Sequence, residues 1–95
     1  MKKYEVMYIL KADLEDEARK EIMDNMHGII TNGEGTIDNV DEWGLRDFAY
    51  EIDHMTKGYY VVIKMTCDTT TLSEFDRLMR INNNVVRHMI VAEEE

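Results

Sequence analysis

A chain of 95 residues with 44% hydrophobic content builds one domain around one core, and is too short for two. Its formal net charge of −9 repels phosphate backbones, so nucleic-acid binding needs a local basic patch or a basic partner. The single cysteine, Cys67, excludes an internal disulfide; no stretch approaches the roughly 18 apolar residues of a membrane span, and Glu5 breaks any signal-like start, so the cytoplasm is the expected setting.

Residues 3–10 alternate, with Tyr4, Val6, Tyr8 and Leu10 on one face and Lys3, Glu5, Met7 and Ile9 on the other, which is a strand. Asp13 is expected to cap a helix whose first turn holds Glu15, Asp16 and Glu17. Leu14, Ala18, Ile22, Met26, Ile29 and Ile30 recur at helical spacing, and Gly33 and Gly35 stop the helix. Residues 37–52 read as one extended strand, bulged where alternation fails between Ile37 and Val40 and again at Gly44. Asp53–Thr56 is expected to turn.

Residues 57–67 form the most strand-like stretch, with Tyr59, Tyr60, Val61, Val62 and Ile63 consecutive, as in a central strand covered on both faces. Thr71 and Glu74 have capping-box spacing for a short helix lined by Leu72, Phe75, Leu78 and Met79, ended by Asn82–Asn84. Val85–Val91 is a last strand. The organisation is a single domain over residues 1–92 and an acidic tail at 93–95.

The order βαββαβ implies an α+β, ferredoxin-like two-layer sandwich: two helices on one face of a four-stranded antiparallel sheet, with strands one and three in the middle. Tyr4, Val6, Tyr8, Ile37, Val61, Ile63, Leu72, Phe75 and Ile90 are the expected core. The other sheet face is then open. Met7, Ile9, Tyr60, Val62, Met89 and Val91 would form an apolar patch across three adjacent strands, the kind of surface a protein partner covers.

Catalytic chemistries of this topology lack their residues. Acylphosphatases need an anion cradle of glycines and an arginine after the first strand, and Lys11-Ala12-Asp13-Leu14 offers neither. Lys57-Gly58-Tyr59-Tyr60-Val61-Val62-Ile63-Lys64 partly fits an RNA-recognition signature, but the first strand's tyrosines sit on the face turned from RNA. His27, His54, His88 and Cys67 show no metal-ligand spacing, and no cofactor is implied. The basic residues near the sheet and its ends, Lys2, Lys3, Arg46, Arg80 and Arg87, are the expected phosphate contacts, with Arg80, Arg87 and Lys2 converging. Alternatively, Arg77 and Arg80 pair with Glu74 and Asp76. These residues leave open a structural RNA-binding protein, a free-standing RNA-recognition-like module, and a small α/β enzyme or ligand sensor.

The ordered set of motifs resembles one family. Lys3-Tyr4-Glu5-Val6-Met7-Tyr8-Ile9 looks like the opening of the bacterial small-subunit ribosomal protein number six. Gly44-Leu45-Arg46, Ala49-Tyr50-Glu51-Ile52 and Gly58-Tyr59-Tyr60 look like its hairpin, and Leu78–Asn82 with Val85–Val91 like its closing helix and strand. Asp47 departs from the family's second basic residue beside Arg46. The resemblance implies a non-catalytic protein of the small ribosomal subunit. It implies binding to the central domain of small-subunit ribosomal RNA together with the basic small-subunit protein number eighteen. The end Glu93-Glu94-Glu95 also resembles the C-termini that some relatives extend with glutamates.

Overall fold

A computed structural model describes residues 1–52 and 55–93, with side chains at all of these except 48–52, 55 and 56. The elements are β1 (Lys2–Lys11), α1 (Asp16–Asn32), β2 (Thr36–Ile52), β3 (Met55–Cys67), α2 (Thr69–Ile81) and β4 (Val85–Ala92). Among the described residues they form one four-stranded antiparallel sheet in the order β2-β3-β1-β4, so the first and third strands are central, as the crossover rule requires. Both helices pack on one face. There Tyr4, Val6, Tyr8 and Leu10 of β1 and Val61, Ile63, Met65 and Cys67 of β3 meet Met23, Met26 and Ile30 of α1 and Phe75 and Met79 of α2.

The core is narrower than the alternation implies. Ile37 and Ile90 are half-buried because they lie on the two edge strands, and Leu72 because it sits in the first turn of α2. Along α1, Ala18 is exposed and Met23 takes a core position in its place.

Both helix starts differ from expectation. Helix α1 begins at Asp16 with Glu15 at the cap position and no side-chain cap bond, so Asp13 lies outside it. Helix α2 is capped by Asp68, whose Oδ1 accepts the Thr71 backbone N–H at 2.7 Å. Thr71 is thus inside the helix; its hydroxyl donates to the Gly33 carbonyl at 3.3 Å and ties the two helix ends together. Glu74 pairs with Arg77 rather than reaching back to the cap. The expected turn at Asp53–Thr56 falls partly outside the described residues, and β3 has already begun at Met55.

The end of α1 divides two jobs between neighbouring residues. Glu34, at φ 66°, takes the left-handed position, while Gly35 N donates to Ile30 O at 2.8 Å and Glu34 N to Thr31 O at 3.2 Å. Gly35 is required by space: an added Cβ would lie 2.8 Å from the Thr66 carbonyl and 2.9 Å from the Cys67 Cβ. The bulges of β2 fall where alternation fails, between Ile37 and Asn39 and between Glu42 and Gly44, and Gly44 adopts φ 83°.

Candidate nucleic-acid and protein interface

The open face is read from its ladder. Val62 faces Met7, which faces Met89; Tyr60 faces Ile9, which faces Arg87; Lys64 faces Glu5, which faces Val91. Directly paired residues project to the same side, so the six apolar residues expected on this face lie on three adjacent strands. They are not equally available. Met89 and Val91 are 45% and 55% exposed, whereas Ile9 is only 3% exposed. Ile9 therefore supports the patch from within instead of offering area to a partner. Its cross-strand neighbours Tyr60 and Arg87, with Met7 beside it on β1, crowd the site in the middle of the sheet.

The β2 edge adds a residue that alternation did not place. Trp43 lies at the second bulge and stacks on Tyr60, with ring centroids 6.2 Å apart and planes 6° from parallel. Its indole N–H donates to Asp41 Oδ2 at 3.0 Å, and the Arg46 guanidinium stands 5.8 Å from its ring centroid. Trp43 nevertheless remains 45% exposed.

The charges divide between layers. From Asp13 to Glu34, seven acids stand against Arg19 and Lys20. On the strands, seven bases (Lys2, Lys3, Lys11, Arg46, Lys57, Lys64, Arg87) stand against six acids. The acidic surplus thus sits mainly on the α1 side, and the sheet escapes most of the repulsion the net charge implies.

The register also tests the expected basic cluster. Lys2 pairs with Cys67 at one end of β1, while Arg87 pairs with Ile9 near the other. At about 3.3 Å per residue they are roughly 23 Å apart. Arg80 lies in the helical layer and is paired with Asp76 at 3.1 Å. Lys2, Arg80 and Arg87 therefore do not converge, because antiparallel pairing runs β4 back along β1 with Arg87 at the far end. Arg77 pairs with Glu74 at 2.6 Å. Lys3 lies on the open face near Lys64, which reaches Glu93 at 3.9 Å, and near Asp38, which accepts the Thr66 hydroxyl at 2.6 Å. Among the described residues Lys2, Lys3, Lys11 and Arg87 make no ion pair.

The polar groups on the helical side serve the fold. The Tyr8 hydroxyl lies 3.0 Å from His27 Nε2. Burial pushes the Tyr8 phenol well above its ordinary pKa and pushes His27 down, with Asp24 and Glu42 opposing the latter shift. A protonated phenol thus donates to a neutral imidazole. Nearby, Tyr59 donates to Glu42 Oε1 at 2.9 Å beneath the Arg19 guanidinium, 4.0 Å above its ring. His88 Nε2 meets Asp76 at 2.7 Å. His54 lies outside the described residues, and among those described no three His, Cys, Asp or Glu side chains converge for a metal.

A sandwich whose helical side is closed by such pairs, and whose sheet face is apolar with cations outside any ion pair among the described residues, has the surface of a binding protein. Comparison makes the class specific. The family model for ribosomal protein S6 matches residues 3–92. The crystal structure of 30S ribosomal protein S6 from Thermotoga maritima superposes with a TM-score of 0.91 at 31% identity, over 97% of this chain and 87% of that one. A protein from Arabidopsis thaliana superposes at 0.58 with 12% identity, over 100% of this chain and 95% of that one, a likeness of fold alone. The chain belongs to the ribosomal protein S6 family, a family of structural, non-enzymatic proteins of the small ribosomal subunit.

Proposed function

We propose that this protein binds the central domain of small-subunit ribosomal RNA jointly with the basic small-subunit protein number eighteen, using its open sheet face. The observation that carries the reading is the division of the molecule: a face with an apolar centre and unpaired cations, set against an acidic helical layer. Met7, Val62, Met89 and Val91, with Tyr60 beside them and Ile9 beneath, form the protein-partner surface. Lys2, Lys3, Arg46 and Arg87 supply phosphate contacts, and Arg80 contributes least because Asp76 already neutralises it. A basic partner offsets the −9 field and completes the RNA footprint, so the two proteins bind more tightly together than either does alone.

Titrating central-domain RNA with this protein, with and without the partner, at near-physiological salt tests the reading. The expected result is a clear gain in affinity with the partner present. Equal affinity in the two titrations overturns joint binding and favours an autonomous RNA-recognition-like module.

A further inference from the structure

The open face is not uniform along its length, and the two ends differ in how their charges are satisfied. At the Lys3–Lys64 end, acids intersperse with bases: Glu5 stands between Lys64 and Val91, Lys64 reaches Glu93, and Asp38 holds Thr66. At the opposite end, Arg46 pairs across β3 with Gly58, and Gly58 pairs with Lys11. Arg46 and Lys11 thus flank a residue without a side chain, two strand spacings or roughly 10 Å apart. One row inward, Arg87 lies across Ile9 from Tyr60. Among the described residues none of these three cations is in an ion pair. Between them stand the Trp43–Tyr60 stack and the half-exposed indole.

We infer that this corner, formed by Lys11, Arg46 and Arg87 around Trp43 and Tyr60, takes an unpaired segment of RNA, while the Met7–Val62–Met89 row beyond it is left to the protein partner. The inference rests on the RNA-binding reading above and divides its face between the two partners, with Tyr60, stacked on Trp43, passing to the RNA side of the border. Charge complementarity selects the occupant. Lys11, Arg46 and Arg87 outnumber the one carboxylate at the corner, Asp41, whose Oδ2 accepts the Trp43 indole N–H, and in a chain of net charge −9 they form a local anion site. Aromatic rings among such cations suit a strand whose bases are free to stack, since every base offers a π-face and a duplex does not. Phosphates then lie over Lys11 and Arg87, and a base packs against the exposed part of Trp43 beside the Arg46 guanidinium. The apolar row, with no cation in it, offers phosphates nothing.

Trp43 is the single tryptophan of the chain, so its emission reports on this corner directly. The experiment adds central-domain RNA to the full-length protein in complex with its basic partner. It reads RNA binding by mobility shift and Trp43 emission in the same samples, with Trp43→Phe as the emission blank. The expected result is quenching on RNA addition and not on partner addition. Trp43→Ala should weaken RNA binding by about ten-fold or more. Lys11→Ala and Arg87→Ala should each lower the salt-dependence slope by about 0.7, while Lys64→Ala leaves it unchanged. Far-UV circular dichroism confirms that each variant is folded. RNA that binds without changing Trp43 emission, and with wild-type slopes in both variants, overturns this inference and leaves the ribosomal-RNA reading standing. Quenching by the partner before RNA is added assigns the corner to protein and also overturns it. RNA that binds neither with nor without the partner overturns the reading beneath and this inference with it.

Discussion

Ile63 and Val62 are adjacent on β3 and nearly identical in chemistry, yet they belong to different regions of the molecule. Ile63 is fully buried under the helices, in a layer where Tyr4, Val6, Met65 and Phe75 close around it. Val62 points the other way, between Met7 and Asp41 on a face that no helix covers. The covered face is dry, and its polar groups pair off: Tyr8 with His27, His88 with Asp76. The open face leaves Met89, Val91 and Trp43 partly in water and, among the described residues, Lys3, Lys11 and Arg87 outside any ion pair. One strand therefore carries stability on one side and recognition on the other, and the two properties can be changed separately.

The sharpest way to break that contrast is to truncate each side. Ile63→Ala should destabilise the fold by about 2–5 kcal/mol in urea unfolding, and Val62→Ala by under about 1 kcal/mol because its site is already half open to solvent. Similar losses for the two would mean that the faces are not distinct. On the covered side, acid should act through His27. Its folded-state pKa lies below the ordinary 6.5, so the unfolded chain binds the proton more readily. The stability is present above pH 6.5 and is lost as pH falls below it toward the depressed folded value. His27→Gln should flatten the dependence of the urea midpoint across that window, and a slope as steep as wild type would show that the Tyr8–His27 pair is not its source.

Smaller effects sharpen the picture further. Glu34→Gly should raise stability by up to about 1 kcal/mol, because a residue with a Cβ now occupies a left-handed position; a lower unfolding midpoint would contradict this account of the helix end. Arg80→Ala should change stability by less than about 0.5 kcal/mol, since an exposed ion pair contributes little. It should also weaken RNA binding less than Arg87→Ala, as measured in the same mobility-shift assay. Equal losses would move the RNA footprint onto the helical layer.

How much of this was legible in the sequence follows from where the periodicity is clean. The strict alternation of Tyr4, Val6, Tyr8 and Leu10 carried the face assignment of β1, and the element order carried the sheet order. Residues of the open face could be named by subtraction, but their degree of exposure could not, and Ile9 is covered by neighbours contributed by other strands. Beyond each bulge the parity of β2 flips, which is why Trp43 could not be assigned a face until Gly44 had been placed opposite Tyr60. The basic cluster failed for a related reason: pairing between β1 and β4 was expected, but the register that separates Lys2 from Arg87 is set by the whole sheet. The cap of α2 is ambiguous in the sequence because Asp68 and Thr71 are both good cap residues three positions apart, and only the hydrogen bond distinguishes them.

The division of the sheet into a structural face and a recognition face can be read on both sides at once from the methionine methyl groups. Met7 and Met89 lie on the open face, while Met23, Met26 and Met79 lie in the core under the helices. In methyl-labelled protein, addition of the basic partner protein should shift the Met7 and Met89 resonances and leave Met23, Met26 and Met79 in place. Shifts confined to Met23, Met26 and Met79, with Met7 and Met89 unmoved, would put the partner on the helical layer and contradict the account.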